Sequence, residues 1–455
     1  MDSNSHLLLW LGISVLLIPA LIVLIGSPWS CAQLAVLGLF TGILTAIPVG
    51  FTLKAPQAFA CLGLVAWSYR HLYHPEPIRL PWKWTLPFVV FILCILPSFL
   101  MLDRSGLSLS EAESSLRLLF NYGLLQLFTL LILLLADSLT YIQRLINLAL
   151  LSYLVSLAFG LAQQFLFYAG LYNPFDYIGQ HSSIVDFYGP FLRLSPGTFA
   201  NEYGEILQSV GILLVAYLTL VPKPQARYSK GLSLLLVLTM VALVLNFTRA
   251  SWLVFAVGAF GILMIARLRL RALIGIAVSG TLALGLLWYL SQILLEASLL
   301  LSVSQRFVEL GQLQSHSAGQ RLVTWQLAWD AFIESPWIGQ GWGRFGNTHN
   351  VPLQLLAETG LIGLTAFYGL MAWCGWIMFR GYRASQEPQI KALLCGTGVA
   401  FAGCLAFDLT NHGIYHFVLW FCIAIGLALA RLSLYPNQAP AAKMQQRDLE
   451  SSLSR

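Results

Sequence analysis

Residues 339–350 read GQGWGRFGNTHN and place a guanidinium, Arg344, and an imidazole, His349, in one short segment. Arginine binds phosphate bidentately and stays charged at any physiological pH. An imidazole that is neutral near pH 7 can take a proton from a hydroxyl. Together such groups could stabilise a departing phosphate and activate an incoming alcohol. Three more arginines stand beside apolar runs: Arg193 in RLSPGTFANEYGE, Arg249 in NFTRASW and Arg321 in QRLVTWQLAWDAFIESP. Each also has a plainer reading. A lone Arg at a helix end snorkels to lipid phosphate, and a single interfacial His is usually a hydrogen-bonded structural group.

The same segment contains Gly341-Trp-Gly343-Arg-Phe-Gly346, a literal GxGxxG. A dinucleotide fingerprint needs a strand before it and a helix after it, within a βαβ unit. Here Pro336 and a helical pattern precede the glycines, and no Lys-Ser/Thr follows. Nucleotide binding is excluded. The glycines are expected instead to supply tight positive-φ turns that fold the backbone closely against the membrane surface.

The elements that must position these groups follow from composition. Hydrophobic residues make up 58% of the 455, charged residues only 10%, and the net charge is +6. Mean hydropathy is +0.75. Such a chain is an all-α polytopic membrane protein, since a spanning helix needs about 20 apolar residues and a barrel would show short alternating segments. Apolar runs fall at 7–25, 32–50, 55–70, 85–101, 116–136, 145–168, 204–221, 231–247, 250–267, 272–294, 353–379, 390–409 and 415–431. They predict about 12 or 13 spans, depending on the first three. The first run has no basic leader or cleavage site and reads as a retained helix. All seven cysteines lie inside apolar runs without a CxxC pair, so they imply neither a metal site nor a disulfide framework.

Most of the 25 basic residues fall in one alternate set of connections, among them Arg70, Arg144, Lys230, Arg383, Lys391 and Arg431. The positive-inside rule makes that set cytoplasmic. The other set, with long loops at about 169–203 and 295–352, is then extracytoplasmic and holds Arg193, Arg249, Arg321, Arg344 and His349. Residues 1–435 form one transmembrane domain, and 436–455 a polar cytoplasmic tail. Within the second long loop, Leu322, Trp325, Ala328, Trp329 and Phe332 recur at helical spacing up to Pro336. They predict an amphipathic helix at the membrane interface. Glu202, Glu205 and Asp408, near span ends, read as polar glue between helices, and His412 and His416 face the same side.

The segment from Arg321 to Gly363 resembles the signature region of the O-antigen ligase and polymerase superfamily. The resemblance rests on Arg321, Trp325, Pro336, Gly341, Gly343, Phe345, His349-Asn350, Leu353-Gln354-Leu355, Glu358, Gly360 and Gly363. TRASW, with Arg249 and Trp252, is similar to a second motif of that family. GTFANEYG is similar to a third in Gly197, Phe199 and Asn201, and departs from it at Glu202-Tyr203. The resemblance implies a GT-C-like, inverting glycosyltransferase in the inner (plasma) membrane, with an extracytoplasmic site and no metal or other cofactor. Its donor would be a glycan on a polyprenyl pyrophosphate, and its acceptor a lipid or glycan hydroxyl among membrane lipids. Nucleic acid is not implied; assembly with a flippase or chain-length regulator is. Carried over, His349 is the expected base, with Arg249 and Arg321 clamping the pyrophosphate. Arg193, Arg344 and Asn350 are expected substrate contacts. Two alternatives stay open: a protein O-oligosaccharyltransferase of the same superfamily and a small-anion transporter. The transporter should bury ionisable groups at mid-membrane, where these runs have almost none.

Overall fold

A computed structural model describes residues 27–40, 46–48, 52–73, 82–104, 109–171, 187–188, 191–196, 199–221, 226–266, 285, 289, 302, 304–305, 316–345, 348–411 and 413–436. Among them lie twelve α-helices and two small antiparallel hairpins. The chain runs α1 (Pro28–Leu37), β1 (Ala46–Pro48), β2 (Thr52–Lys54), α2 (Ala55–Tyr73), α3 (Leu86–Arg104), α4 (Leu109–Leu135), α5 (Leu139–Tyr168), β3 (Phe187–Tyr188) and β4 (Phe191–Leu192). It continues with α6 (Ala200–Leu220), α7 (Ala226–Asn246), α8 (Arg249–Ile265), α9 (His316–Glu334), α10 (Val351–Ala384), α11 (Pro388–Phe407) and α12 (Phe417–Leu434).

Among the described residues, seven helices are long and apolar enough to cross a membrane: α4 from Ser115, α5, α6, α7 from Ser229, α10, α11 and α12. They match seven of the expected runs closely. Shorter apolar helices occupy Leu86–Phe99 and Arg249–Ile265. One expected span takes another form. In place of a helix over 32–50, the ten-residue α1 ends at the Gly38 cap, and β1 pairs with β2 in the register Ala46↔Lys54, Ile47↔Leu53, Pro48↔Thr52. Ten residues rise only about 15 Å, half a hydrocarbon core. The runs 7–25 and 272–294 fall outside the described residues, apart from helical positions 285 and 289, as do much of the loop 169–203, most of 295–315, Gly197, Gly346, His412 and the tail after 436.

A helix that is apolar all round belongs in a core. α12 is such a helix, and every residue from Phe417 to Arg431 is buried. It packs against α4, α5, α6, α10 and α11. Small residues allow α10 and α12 to approach closely: a β-carbon at Gly381 of α10 would sit 2.6 Å from Ala430 Cα, so only glycine permits that approach. Because the helices alternate in direction, Arg144, Lys230, Arg383, Lys391 and Arg431 gather at one end. The starts of α6, α8, α10 and α12 and the ends of α7 and α11 gather at the other. The candidate residues belong to this second end.

Candidate functional site

His349 lies immediately before α10 with φ of 52°, a left-handed conformation. For a non-glycine residue that costs about 1–3 kcal/mol and persists only where the surroundings impose it. Here they do so on both sides. The Trp325 indole N–H donates to Thr348 O at 2.8 Å, and the Thr348 hydroxyl donates to Asn350 O at 3.1 Å. Asn350 caps α10 by accepting from Leu353 N at 2.9 Å, while its Nδ2 donates to Leu409 O at 3.0 Å. Val351 N donates to Asp408 O at 3.0 Å. Arg321 lies one turn before Trp325 on α9, so the Trp325 anchor brings the guanidinium to the imidazole. Burial, and then the Arg321 charge, lower the His349 pKa from its ordinary value. The ring is therefore neutral at pH 7, as a base must be.

The glycine-rich turn is laced into α10. That helix breaks at Gly360, whose φ is 63°. Across the break, Gln340 N donates to Ala357 O at 2.8 Å, Gly341 N to Glu358 O at 3.1 Å, Leu361 N to Pro336 O at 2.9 Å and Ile362 N to Trp337 O at 3.2 Å. Gly339, Gly341 and Gly343 all take positive φ, as expected from the sequence. What the turn folds against, however, is the broken helix. Glu358, fully buried, closes the turn by accepting from Phe345 N at 2.8 Å and from Gln354 Nε2 at 3.2 Å. Trp342, also fully buried, packs edge-on to Tyr122 and Tyr415. α9 rests Ala328 and Ala331 on Ala357. Its Leu322, Val323, Leu327, Trp329 and Ile333 stay exposed, as an interfacial helix would leave them.

The second turn, 246–249, joins α7 to α8. Phe247 has φ of 55°, and among the described residues it shares positive φ outside glycine with His349 alone. Phe191 and Tyr188 stack against it. Arg193, buried, holds this turn: Nε donates to Asn246 O at 2.9 Å, and Nη2 donates to Thr248 Oγ1 at 2.8 Å and Asn201 Oδ1 at 3.1 Å. Asn246 Nδ2 donates to Leu194 O and Ala200 O. Arg249 then opens α8, half-buried.

Between the two turns lies a buried polar cluster. The His416 imidazole pairs with the Glu205 carboxylate, and Asp408 is fully buried beside them. A β-carbon at Gly413 would lie 2.0 Å from Asp408 Oδ1 and 3.2 Å from Glu205 Oε2. Burial, and then the Glu205 charge, push the Asp408 carboxyl well above the usual carboxylate range. Burial opposes protonation of His416, but Glu205, reinforced by Glu202 and Asp408, outweighs it and raises the imidazole to about 9. Lys54 Nζ meets Glu202 Oε1 at 3.4 Å and lies 5.5 Å above the Phe417 ring.

The structure thus brings Arg321 to His349 and Arg193 to the Arg249 turn, and sets both pairs at one end of the bundle. Arg344 sits apart on the exposed side of the glycine turn, donating to Gln340 Oε1 at 3.2 Å. Asn350 and Arg193 have structural partners that the sequence did not foretell. The sequence showed Glu205 and Asp408 as polar glue near span ends and His416 on the same side, but not that they meet. Pairing across more than two hundred residues carries no local signal.

Residues 234–368 match a family model described as O-antigen ligase. That segment contains Arg249, Arg321, Arg344, His349 and Asn350, and it leaves out Arg193, Glu205, Asp408 and His416. No curated protein matches the chain.

Proposed function

An O-antigen ligase domain over residues 234–368 places this multi-pass membrane protein in the O-antigen ligase and polymerase superfamily, and from that premise we propose that it transfers a glycan from a polyprenyl pyrophosphate to an acceptor hydroxyl. The reaction takes place at the non-cytoplasmic end. His349 takes the proton from the acceptor hydroxyl as its oxygen attacks the anomeric carbon. The bond from that carbon to the pyrophosphate oxygen breaks on the opposite face, inverting the configuration. Arg321 and Arg249 receive the charge that develops on the leaving pyrophosphate, the task electrostatic stabilisation performs in a site without a metal. Arg193 fixes the turn from which Arg249 extends.

The observation that carries this reading is the pairing of Arg321 with His349. One cation lowers the pKa of the base and is also placed to meet the leaving group's anion. A guanidinium that only snorkelled to lipid would not be anchored beside a strained imidazole.

The test is glycan transfer by purified protein in proteoliposomes, with a labelled polyprenyl-pyrophosphate donor. General-base assistance is worth about 10²–10⁴-fold, so His349→Ala should lose about that much turnover while still binding donor. Arg321→Ala should lose transfer and weaken donor binding together. Near-wild-type transfer by His349→Ala overturns the assignment of the base. Glycan found on lipid-anchored core, as lengthened polymer or on protein Ser/Thr then identifies the acceptor.

A further inference from the structure

We infer that Glu205, His416 and Asp408 are positioning residues: they form a charged brace that holds the turn carrying His349 in register with the turn carrying Arg249. The kinetic consequence rests on the proposed transfer reaction; the brace itself does not. None of the three lies in the segment matched by the ligase family model.

The brace connects two otherwise separately tied parts. On one side, Arg193, Asn201, Asn246 and Thr248 knit the Arg249 turn to the start of α6. Glu205 is on the next turn of that helix. On the other side, the backbone carbonyls of Asp408 and Leu409 receive Val351 N and Asn350 Nδ2, the two bonds that fix the residues following His349. The Glu205–His416 ion pair joins α6 to the start of α12, and the two carboxyl groups meet where a side chain at Gly413 would lie. The imidazole and the two carboxyl groups share one buried cluster, where a charged group is tolerated only beside a partner. The groups whose charge acts on His416 are Glu202 and Glu205 of α6 and Asp408 just after α11; the Cys404 thiol of α11 lies by Glu205, and Lys54, ahead of α2, by Glu202 and the Phe417 ring.

Without the brace the Arg249 turn keeps all its own bonds, whereas the 408–411 segment, and with it His349, can shift. A displacement of about 1 Å in a reacting group costs on the order of 10²-fold in rate. Glu205→Gln, isosteric and able to keep a hydrogen bond, and His416→Gln should each lower kcat by about 10–100-fold. The KM for the polyprenyl-pyrophosphate donor should stay within about threefold, because the clamp is untouched.

A second readout needs no transfer activity. His416 is raised above its ordinary value, so its contribution is complete below about pH 6.5 and is lost as pH climbs through about 9. The melting temperature of the full-length protein in detergent should therefore fall across that upper interval, and the fall should be flattened in Glu205→Gln. If wild type transfers nothing yet melts in this way, the reaction assignment fails and the brace stands. If the variants keep wild-type kcat, or if wild type and Glu205→Gln melt with the same pH dependence, the brace is overturned.

Discussion

Arg321 has two jobs that a single substitution can separate. Its charge lowers the His349 pKa, so the acid limb of kcat/KM should lie below about 6.5, the ordinary imidazole value. Arg321→Gln removes the charge and leaves the burial. The limb should move to higher pH while remaining below that value, and overall transfer should fall because the clamp has lost a member. A pH–rate profile over the lower range checks this; an unmoved limb would show that the guanidinium does not act on the ring. At this scale the sequence was partly readable. His349 and the four arginines stood out by residue type and by their position beside apolar runs. The backbone of His349 was not readable, because a left-handed φ at a non-glycine residue is imposed by its neighbour Asn350 together with Trp325 of α9 and Asp408 at the end of α11, which are distant in sequence.

Helices and turns were legible wherever the apolar run was long. α5, α10, α11 and α12 fall close to their expected limits, because hydropathy alone fixes a spanning helix. Two features escaped. The run 32–50 ends its helix early and supplies β1, which pairs with β2, a partner that hydropathy does not report. The break in α10 escaped because Gly360 inside a helical pattern is ordinary until another chain segment fills the gap. A β-carbon at Gly339 would lie 2.3 Å from Glu358 C, and one at Gly360 2.3 Å from Trp337 C. Both contacts are to backbone and neither can give way. Gly339→Ala and Gly360→Ala should each cost several times the roughly 1 kcal/mol of an ordinary helix glycine and abolish transfer. Gly319, in open space on α9, is the control: Ala there should add about 0.5–1 kcal/mol. Thermal melts of the three variants decide it, and an unharmed Gly360→Ala would mean that the laced turn tolerates separation.

At the scale of the molecule, the family match over residues 234–368 and the seven described helices long and apolar enough to cross a membrane both fit a multi-pass enzyme of the ligase type in general. The proposed chemistry relies on guanidinium groups alone, so transfer in proteoliposomes should survive EDTA with less than about a twofold change, well under 1 kcal/mol in barrier. Activity that vanishes with chelation and returns with a divalent ion would contradict the arginine clamp. The family was legible from about forty residues around the glycine turn because there the chemistry is concentrated in consecutive positions. The brace was not, since its members are spread over α6, the end of α11 and the start of α12.

The order in which the polypeptide is made meets an odd constraint in α12. Synthesis proceeds from the N-terminus, and domains ordinarily fold as they emerge. Yet the final described helix is the one enclosed by α4, α5, α6, α10 and α11, and its Arg431 reaches the main-chain oxygens of Leu133 and Ala136 at the far end of α4. The five helices that surround α12 are therefore all made before the segment that fills the space between them. A nascent chain halted before Phe417 lacks that filling helix, and α4, α5, α6, α10 and α11 are left without their common partner.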